Sequence, residues 1–306
     1  MALITAALLG SINNGLQLAY NTQFWAEQSL YKEFCYDASS TGDTEVYPRL
    51  DMLPGVREWI GARAVHNLTM ESFSIKNRKF EETIAIPRTD VEDDRYGMFA
   101  PVASQMGSDA AALPDKLIAQ LMMSGTTMLG YDGQYFFSNG HPGYTLTGGA
   151  TTVSNTSGTG AYPGWYLVDR SKSLRPFIYQ NRVPFELTTR FNPDDPSVFD
   201  NDEFLWGVRG RSNAGFGLWQ LAYYSTLVLN PANLIAARTA MAEIRRPDGT
   251  PMGIRPDTLI VPSALFPRAM AYYKNTLIAN DPSTPTTLVE NDVINMFKPI
   301  EYTWLG

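Results

Sequence analysis

Between residues 99 and 121 apolar side chains recur at every third or fourth position, as Phe99, Val102, Met106, Ala110, Leu113, Leu117 and Leu121. That spacing keeps one stripe of a 3.6-residue helix apolar, so the sequence predicts a single rod of about seven turns, roughly 40 Å at about 1.5 Å per residue. Pro114 lies inside it and has no N–H to give the preceding turn, so a kink is expected there. A rod of this length organises a flat subunit.

The segments around the rod read differently. Asn13 to Glu33 carries Leu16, Tyr20, Phe24, Leu30 and Tyr31 at helical spacing, with Asn13 and Asn14 as expected N-caps of an amphipathic arm. Asp37 to Thr44, rich in Ser, Thr, Gly and Asp, reads as a hinge. From Val46 to Ile86 the apolar residues alternate as in strands, and Pro87 should end the last of them just before the acidic run Asp90–Asp94 and the helix. Gly140 to Gly164 is dense in Gly, Thr and Ser and predicts an exposed loop. Strand-like runs return from Trp165 to Ser225, with Asn213 to Gly217 expected as a turn between two of them. Asn230-Pro231 predicts a capped helix ending near Arg246. A strand over Thr258–Val261, helices over 263–273 and 288–297, and a closing strand over 299–305 complete an α/β tail.

Composition restricts function. Apolar residues make up 44% of the chain and charged residues only 18%, so part of the surface is expected to be covered by something else. The net charge is -7 and basic residues form no cluster, which argues against sequence-reading nucleic-acid binding but allows a container of DNA. The single cysteine, Cys35, excludes an internal disulfide and makes a thiolate zinc site unsuitable. The apolar opening from Met1 to Gly10 lacks a cationic start and falls short of the roughly 20 residues that span a bilayer, so no membrane is expected.

Candidate chemistry is sparse. The two histidines, His66 and His141, lie on opposite sides of the rod. His141 with Asp132 could be a general base and its orienter in a soluble hydrolase, but no nucleophile motif accompanies them, and a His-Pro turn is the plainer reading. Asp90, Glu92, Asp93 and Asp94 do not follow a calcium-loop spacing. Gly207 to Gly217, with Arg209 and Arg211, lacks the P-loop lysine. The six tryptophans are scattered and read as core and interface packing. No catalytic, cofactor or metal residues are expected.

One segment stands out as an interface. Leu50, Met52, Leu53, Val56, Trp59 and Ile60 crowd between strand-like runs, too apolar for a free hairpin, with Arg57, Glu58 and Arg63 as rim contacts. A two-stranded projection is not stable alone, so a neighbouring copy is expected to order it.

Several strings resemble the Mu-like phage major head subunit family. They are Val56-Arg-Glu-Trp-Ile-Gly61, Phe73-Ser-Ile-Lys-Asn-Arg-Lys-Phe-Glu81, Thr89-Asp-Val-Glu-Asp-Asp94, Tyr131-Asp-Gly-Gln-Tyr-Phe-Phe-Ser138 with His141-Pro142, Trp165-Tyr-Leu-Val-Asp169 and Asn213-Ala-Gly-Phe-Gly-Leu-Trp-Gln-Leu-Ala222. The resemblance covers about residues 12 to 273.

It implies an α+β chain with the Hong Kong 97-type phage capsid fold: an N-terminal arm (1–44), an extended β-hairpin finger or E-loop (45–75), and a peripheral lobe (76–125). That lobe would hold a spine helix (about 96–124) and returning strands (about 180–229), with an axial lobe from 126–179 and 230–306. In common members of the fold the axial helices precede the returning strand; here Phe204 to Tyr224 resembles that strand pair, yet the α/β tail follows, so 231–306 is placed in the axial lobe. The implied function is that of a major capsid protein assembling into hexamers and pentamers of an icosahedral head, in the virion shell, built in the host cytoplasm around double-stranded DNA contacted without sequence specificity. A separate scaffold protein, a portal and a decoration protein are the implied partners, the arm beginning too near Met1 for a fused scaffold unless the chain is already mature. No Lys-Asn crosslink is expected. An encapsulin-like cellular nanocompartment shell is the alternative on the same fold.

Overall fold

The computed structural model describes residues 5–48, 72–93, 98–192, 195–279 and 288–306. The arm forms α1 (Ala6–Ala26), which starts earlier than the asparagines suggest because the Thr5 side chain accepts from the Leu8 amide at 3.2 Å. Asn13 instead lies inside the helix and accepts from the Trp206 indole at 3.2 Å. Leu9, Ile12, Leu16 and Tyr20 form its buried stripe. The helix stops at Ala26 rather than running to Glu33, and Tyr31–Glu33 make a separate 3-10 turn.

Chain order then gives β1 (Cys35–Ser39), β2 (Thr44–Pro48), β3 (Ser72–Lys76), β4 (Arg78–Pro87) and α2 (Arg88–Glu92). Asp90 and Glu92 thus sit within a short helix of their own, Asp90 in its first turn, where the helix dipole favours an acid. The rod is α3 (Ala100–Met123), 24 residues that pass through Pro114 as one helix. α1 packs on α3 backbone to backbone: a Cβ on Gly107 would lie 2.5 Å from the Tyr20 carbonyl oxygen.

Two sheets follow from the remaining strands: β5 (His141–Tyr144), β6 (Ala150–Val153), β7 (Thr156–Ser157), β8 (Trp165–Val168), β9 (Phe177–Arg190), then α4 (Pro196–Asn201), β10 (Glu203–Phe216) and β11 (Ala222–Ser225). The tail supplies α5 (Pro231–Ala242), β12 (Thr258–Val261), α6 (Phe266–Lys274), β13 (Leu277–Ala279), β14 (Leu288–Glu290) and β15 (Lys298–Glu301). Strands β1-β9-β10-β4 form a four-stranded sheet whose inner face, with Ile86, Phe204 and Trp206, packs on α1 and α3. Strands β15-β12-β8-β11-β7 form a five-stranded sheet, with α6 against β12 and β15 and α5 against β11.

Four expectations are corrected. Asn213 to Phe216 continue β10 instead of turning, because the Asn213 amide donates to the Lys76 carbonyl at 2.7 Å and the run pairs with β9; the chain turns at Gly217. Phe204 to Tyr224 is therefore not one strand pair: β10 and β11 belong to different sheets. Residues 288–297 are not a helix, since Asn291 gives its amide to the Tyr272 and Asn275 carbonyls and takes the Val293 N–H, and Asn295 has φ 56°. The closing strand stops at Glu301, followed by a 3-10 turn over Thr303–Leu305 that lies against α3.

Candidate assembly surface

The predicted interface residues Leu50, Met52, Leu53, Val56, Arg57, Glu58, Trp59, Ile60 and Arg63, with His66, lie outside the described residues. The strands on either side are described: β2 and β3 pair antiparallel from Thr44↔Lys76 to Pro48↔Ser72. Residues 48 and 72 are thus neighbours at the end of this pair.

A polar clamp holds this point. Glu45 Oε1 accepts from the Gly42 and Thr41 amides at 2.8 and 2.6 Å and from Ser40 Oγ at 3.0 Å. Those two backbone donors, Gly42 first, hold the Glu45 carboxyl below the usual glutamate range. Asn77, buried, donates to Ser40 Oγ at 2.8 Å and to the Gly42 carbonyl at 3.0 Å. Gln180, buried on β9, donates to Asn77 Oδ1 at 2.8 Å and accepts from the Tyr47 hydroxyl at 3.0 Å. Burial pushes the Tyr47 hydroxyl up to about 12, and its ring stacks on Phe73, which stacks on Tyr131. Sequence reasoning missed Ser40, Asn77 and Gln180: isolated polar residues carry no periodicity, and only the strand pairing brings them together.

A second junction joins arm, spine and C-terminus. Asp115, one residue past the helix proline, accepts from the Tyr31 amide at 2.8 Å, the Leu30 amide at 3.2 Å and the Tyr302 hydroxyl at 3.0 Å. Burial pushes its carboxyl above the ordinary aspartate value, and the Tyr31 amide opposes that shift. The carboxylate caps the 3-10 turn from a different helix. The arm's entry is thereby fixed to the middle of α3.

The His141–Asp132 pair does form, with Nδ1 2.6 Å from Asp132 Oδ2, but its place is wrong for a general base. Nε2 lies 3.2 Å from Asn155 Oδ1, the ring stacks on Trp219 at 3.9 Å, and the two side chains are 0% and 2% exposed. A reacting group has no route to either nitrogen. His141-Pro142 also begins strand β5 rather than forming a turn.

Apolar surface is exposed elsewhere. Phe199 on α4 is 87% exposed and Trp25 near the end of α1 is 80% exposed. Helix α1 has no charged residue over its 21 positions, although Leu18 also faces outward. These groups are left uncovered by the chain's own residues.

The comparisons agree in direction. Residues 9–304 match the model of the family described as Mu-like prophage major head subunit gpT. The major capsid protein of Escherichia phage Mu is 35% identical over 261 residues, covering 84% of this chain and 86% of that protein. A chain from the procapsid of bacteriophage JBD30 is 37% identical, with a TM-score of 0.80, covering 98% of this chain and 100% of that one. A chain from the JBD30 capsid is 25% identical, with a TM-score of 0.77 and 92% of each chain covered.

Proposed function

Because the chain belongs to the Mu-like major head subunit family and is a major capsid protein of the Hong Kong 97-type fold, we propose that its copies close into hexamers and pentamers by docking each 49–71 excursion onto a neighbour. The observation that carries this reading is the family match over residues 9–304, combined with the paired β2 and β3 at the base of the excursion. The capsid shell of the virion is the protein's place, and none of the described helices is long and apolar enough to cross a membrane.

In this proposal α3 and the four-stranded sheet form the peripheral lobe, and the five-stranded sheet with α5 and α6 forms the axial lobe. The 3-10 turn at 303–305 sits at their junction, since it lies against α3. The segment 45–75 is the finger, and Leu50, Met52, Leu53, Val56, Trp59 and Ile60 are its buried side, with Arg57, Glu58 and Arg63 at the rim. A separate scaffold, a portal and a decoration protein complete the assembly, which encloses double-stranded DNA without reading its sequence. The chain carries no catalytic step, a view supported by the sealing of His141 and Asp132.

Electron microscopy of the expressed protein, alone and with a co-expressed scaffold, tests the shell: closed particles are expected, and a monodisperse small species under both conditions overturns it. Trp59→Ala tests the finger. The expected result is an isolated subunit with an unchanged thermal transition and fewer closed shells; loss of the transition itself would make Trp59 part of the subunit's own core.

A further inference from the structure

Strand β4 is one edge of the four-stranded sheet: β10 pairs with one side of it, and among the described residues no strand pairs with the other. It runs for 10 residues, against 5 in β1 at the opposite edge. A long open edge invites a further strand, and charged side chains ordinarily keep one away. Here the order of the charges does the reverse. The strand begins Arg78-Lys79-Phe80-Glu81-Glu82: two cations, an aromatic ring, two carboxylates. An antiparallel copy centred on Phe80 would set Lys79 against Glu81 and Arg78 against Glu82, each twice, with Phe80 facing Phe80. Opposite charges and aromatic rings directly across two strands are stabilising pairs.

The subunit itself leaves these groups poorly matched. The four charged residues are exposed and Phe80 is half-buried. The register with β10 sets Lys79 opposite Arg211, a like charge, and Arg211 donates instead to Asp43 at 2.9 Å. Glu81 stands opposite Arg209, yet none of Arg78, Lys79, Glu81 and Glu82 makes an ion pair among the described residues. Burial, then repulsion from Asp109, holds the Glu82 carboxyl above the ordinary glutamate range, so a cation from outside would suit it.

We propose that β4 is a self-pairing edge: two copies of the chain join antiparallel at Arg78–Glu82 and fuse their four-stranded sheets into one continuous sheet. The proposal goes beyond the docking of the finger and rests on the capsomer reading given above. Contacts around a five-fold or six-fold ring run head to tail, whereas a strand that pairs with itself needs a two-fold axis. The β4 pair therefore lies between capsomers and ties one ring to the next. Alternation along the strand puts Lys79 and Glu81 on one face of the joined sheet and Arg78, Phe80 and Glu82 on the other, so each face carries matched charges across the axis. Pairing stops at Arg78 because Asn77, the residue before it, is buried in the clamp with Ser40 and Gly42.

Charge exchange in the full chain tests the pair, under the conditions that close shells of the unmodified protein. Lys79→Glu sets carboxylate against carboxylate at both Lys79–Glu81 positions, and Glu81→Lys sets cation against cation. Each alone should lower the yield of closed shells at least about threefold, with free capsomers accumulating. Lys79→Glu combined with Glu81→Lys restores both pairs, and the yield should return to within about a factor of two of the unmodified chain. A double variant no better than the worse single overturns the pairing, as does full yield from both singles. Covalent capture supplies a second readout, since Cα atoms directly across an antiparallel pair lie about 4.5–5.5 Å apart, within disulfide reach. Lys79→Cys and Glu81→Cys subunits expressed together should give covalent dimers in oxidised shells, and neither should do so alone; monomer only from the mixture overturns the pair. Cys35 is buried and does not compete. An unmodified chain that closes no shells fails the capsomer reading itself, and this proposal with it. Shells that close without charge rescue or capture fail the β4 pair alone.

Discussion

The two sheets of the molecule are built on opposite principles. In the five-stranded sheet, every residue of β8 and β12 is buried, and the register sets Ile260 between Tyr166 on one side and Ile300 on the other. Such a sheet is covered on both faces by its own chain and reads as an unbroken apolar run. In the four-stranded sheet, the outer half of β9 alternates between part-buried and exposed residues, and β10 alternates through most of its length. That sheet has one dry face, packed on α1 and α3, and one bare face, and α4 beside it leaves Phe199 exposed. The first region is finished within the subunit. The second leaves apolar groups that its own chain does not cover.

Substitution should separate the two. Ile260→Ala removes a side chain from a site with no solvent exposure and should cost the isolated subunit about 2–5 kcal/mol in urea-induced unfolding. A loss below about 1 kcal/mol would mean that the five-stranded sheet depends on neighbouring subunits for its packing. Gly107→Val inserts a side chain where a Cβ would already lie 2.5 Å from the Tyr20 carbonyl oxygen. Backbone cannot rotate away as a side chain can, so α1 must lift from α3, at a cost of about 1–3 kcal/mol. Limited proteolysis should then cut between α1 and the 31–33 turn first. Unchanged resistance there would show that the arm does not owe its position to this contact.

The same contrast explains what the sequence disclosed. The rod over 99–121 was legible because its packing is periodic, and the helix at Asn230 because its cap and proline are local signals. Strands β8 and β12 were legible as short apolar runs. What misled was chemistry decided by distant partners. Asn291 and Asn295 break a helix that the apolar spacing of 288–297 predicts, by bonds to 272 and 275 and by a left-handed backbone. Asn213 and Gly215, turn residues by composition, stay in β10, because the sequence cannot announce that Lys76 and Ile75 lie beside them. The clamp of Ser40, Glu45, Asn77 and Gln180 joins residues up to 140 positions apart, and none of them has a neighbour in sequence that marks it. The His141–Asp132 pairing was legible, because the two lie nine residues apart; its burial was not, since Trp219 and Asn155 seal it from elsewhere in the chain.

Phe199→Ser sharpens the comparison from the other side. The ring is nearly bare in the subunit, so its loss should move the unfolding midpoint by no more than about 0.5 kcal/mol. Shell yield, read by sedimentation, should fall. If stability drops as well and shells form normally, Phe199 belongs to the subunit's own packing and the bare face is bare in the shell too.

The smallest expected effect lies at the β2–β3 pair, where the half-buried Glu45 holds the 40–43 turn by its carboxylate. Its pKa is lowered in the folded chain, so the ionised form is the one the fold prefers. The stabilisation is therefore fully present above the ordinary glutamate value of about 4.3 and is lost as pH falls through the lower folded value. Amide resonances of Thr41 and Gly42, which donate to this oxygen, should shift in a single step whose midpoint lies below about 4.3, and the step should vanish in Glu45→Gln. The neutral amide can still accept from both N–H groups, so the turn should persist in the variant with weaker protection and with no dependence on pH over that range. Solvent screens the group, which keeps the consequence local: the 40–43 turn should loosen in acid while the five-stranded sheet shows no matching step. A midpoint at or above the ordinary glutamate value would mean that the carboxylate does not hold the turn, leaving Asn77 and Gln180 to fix it against β9.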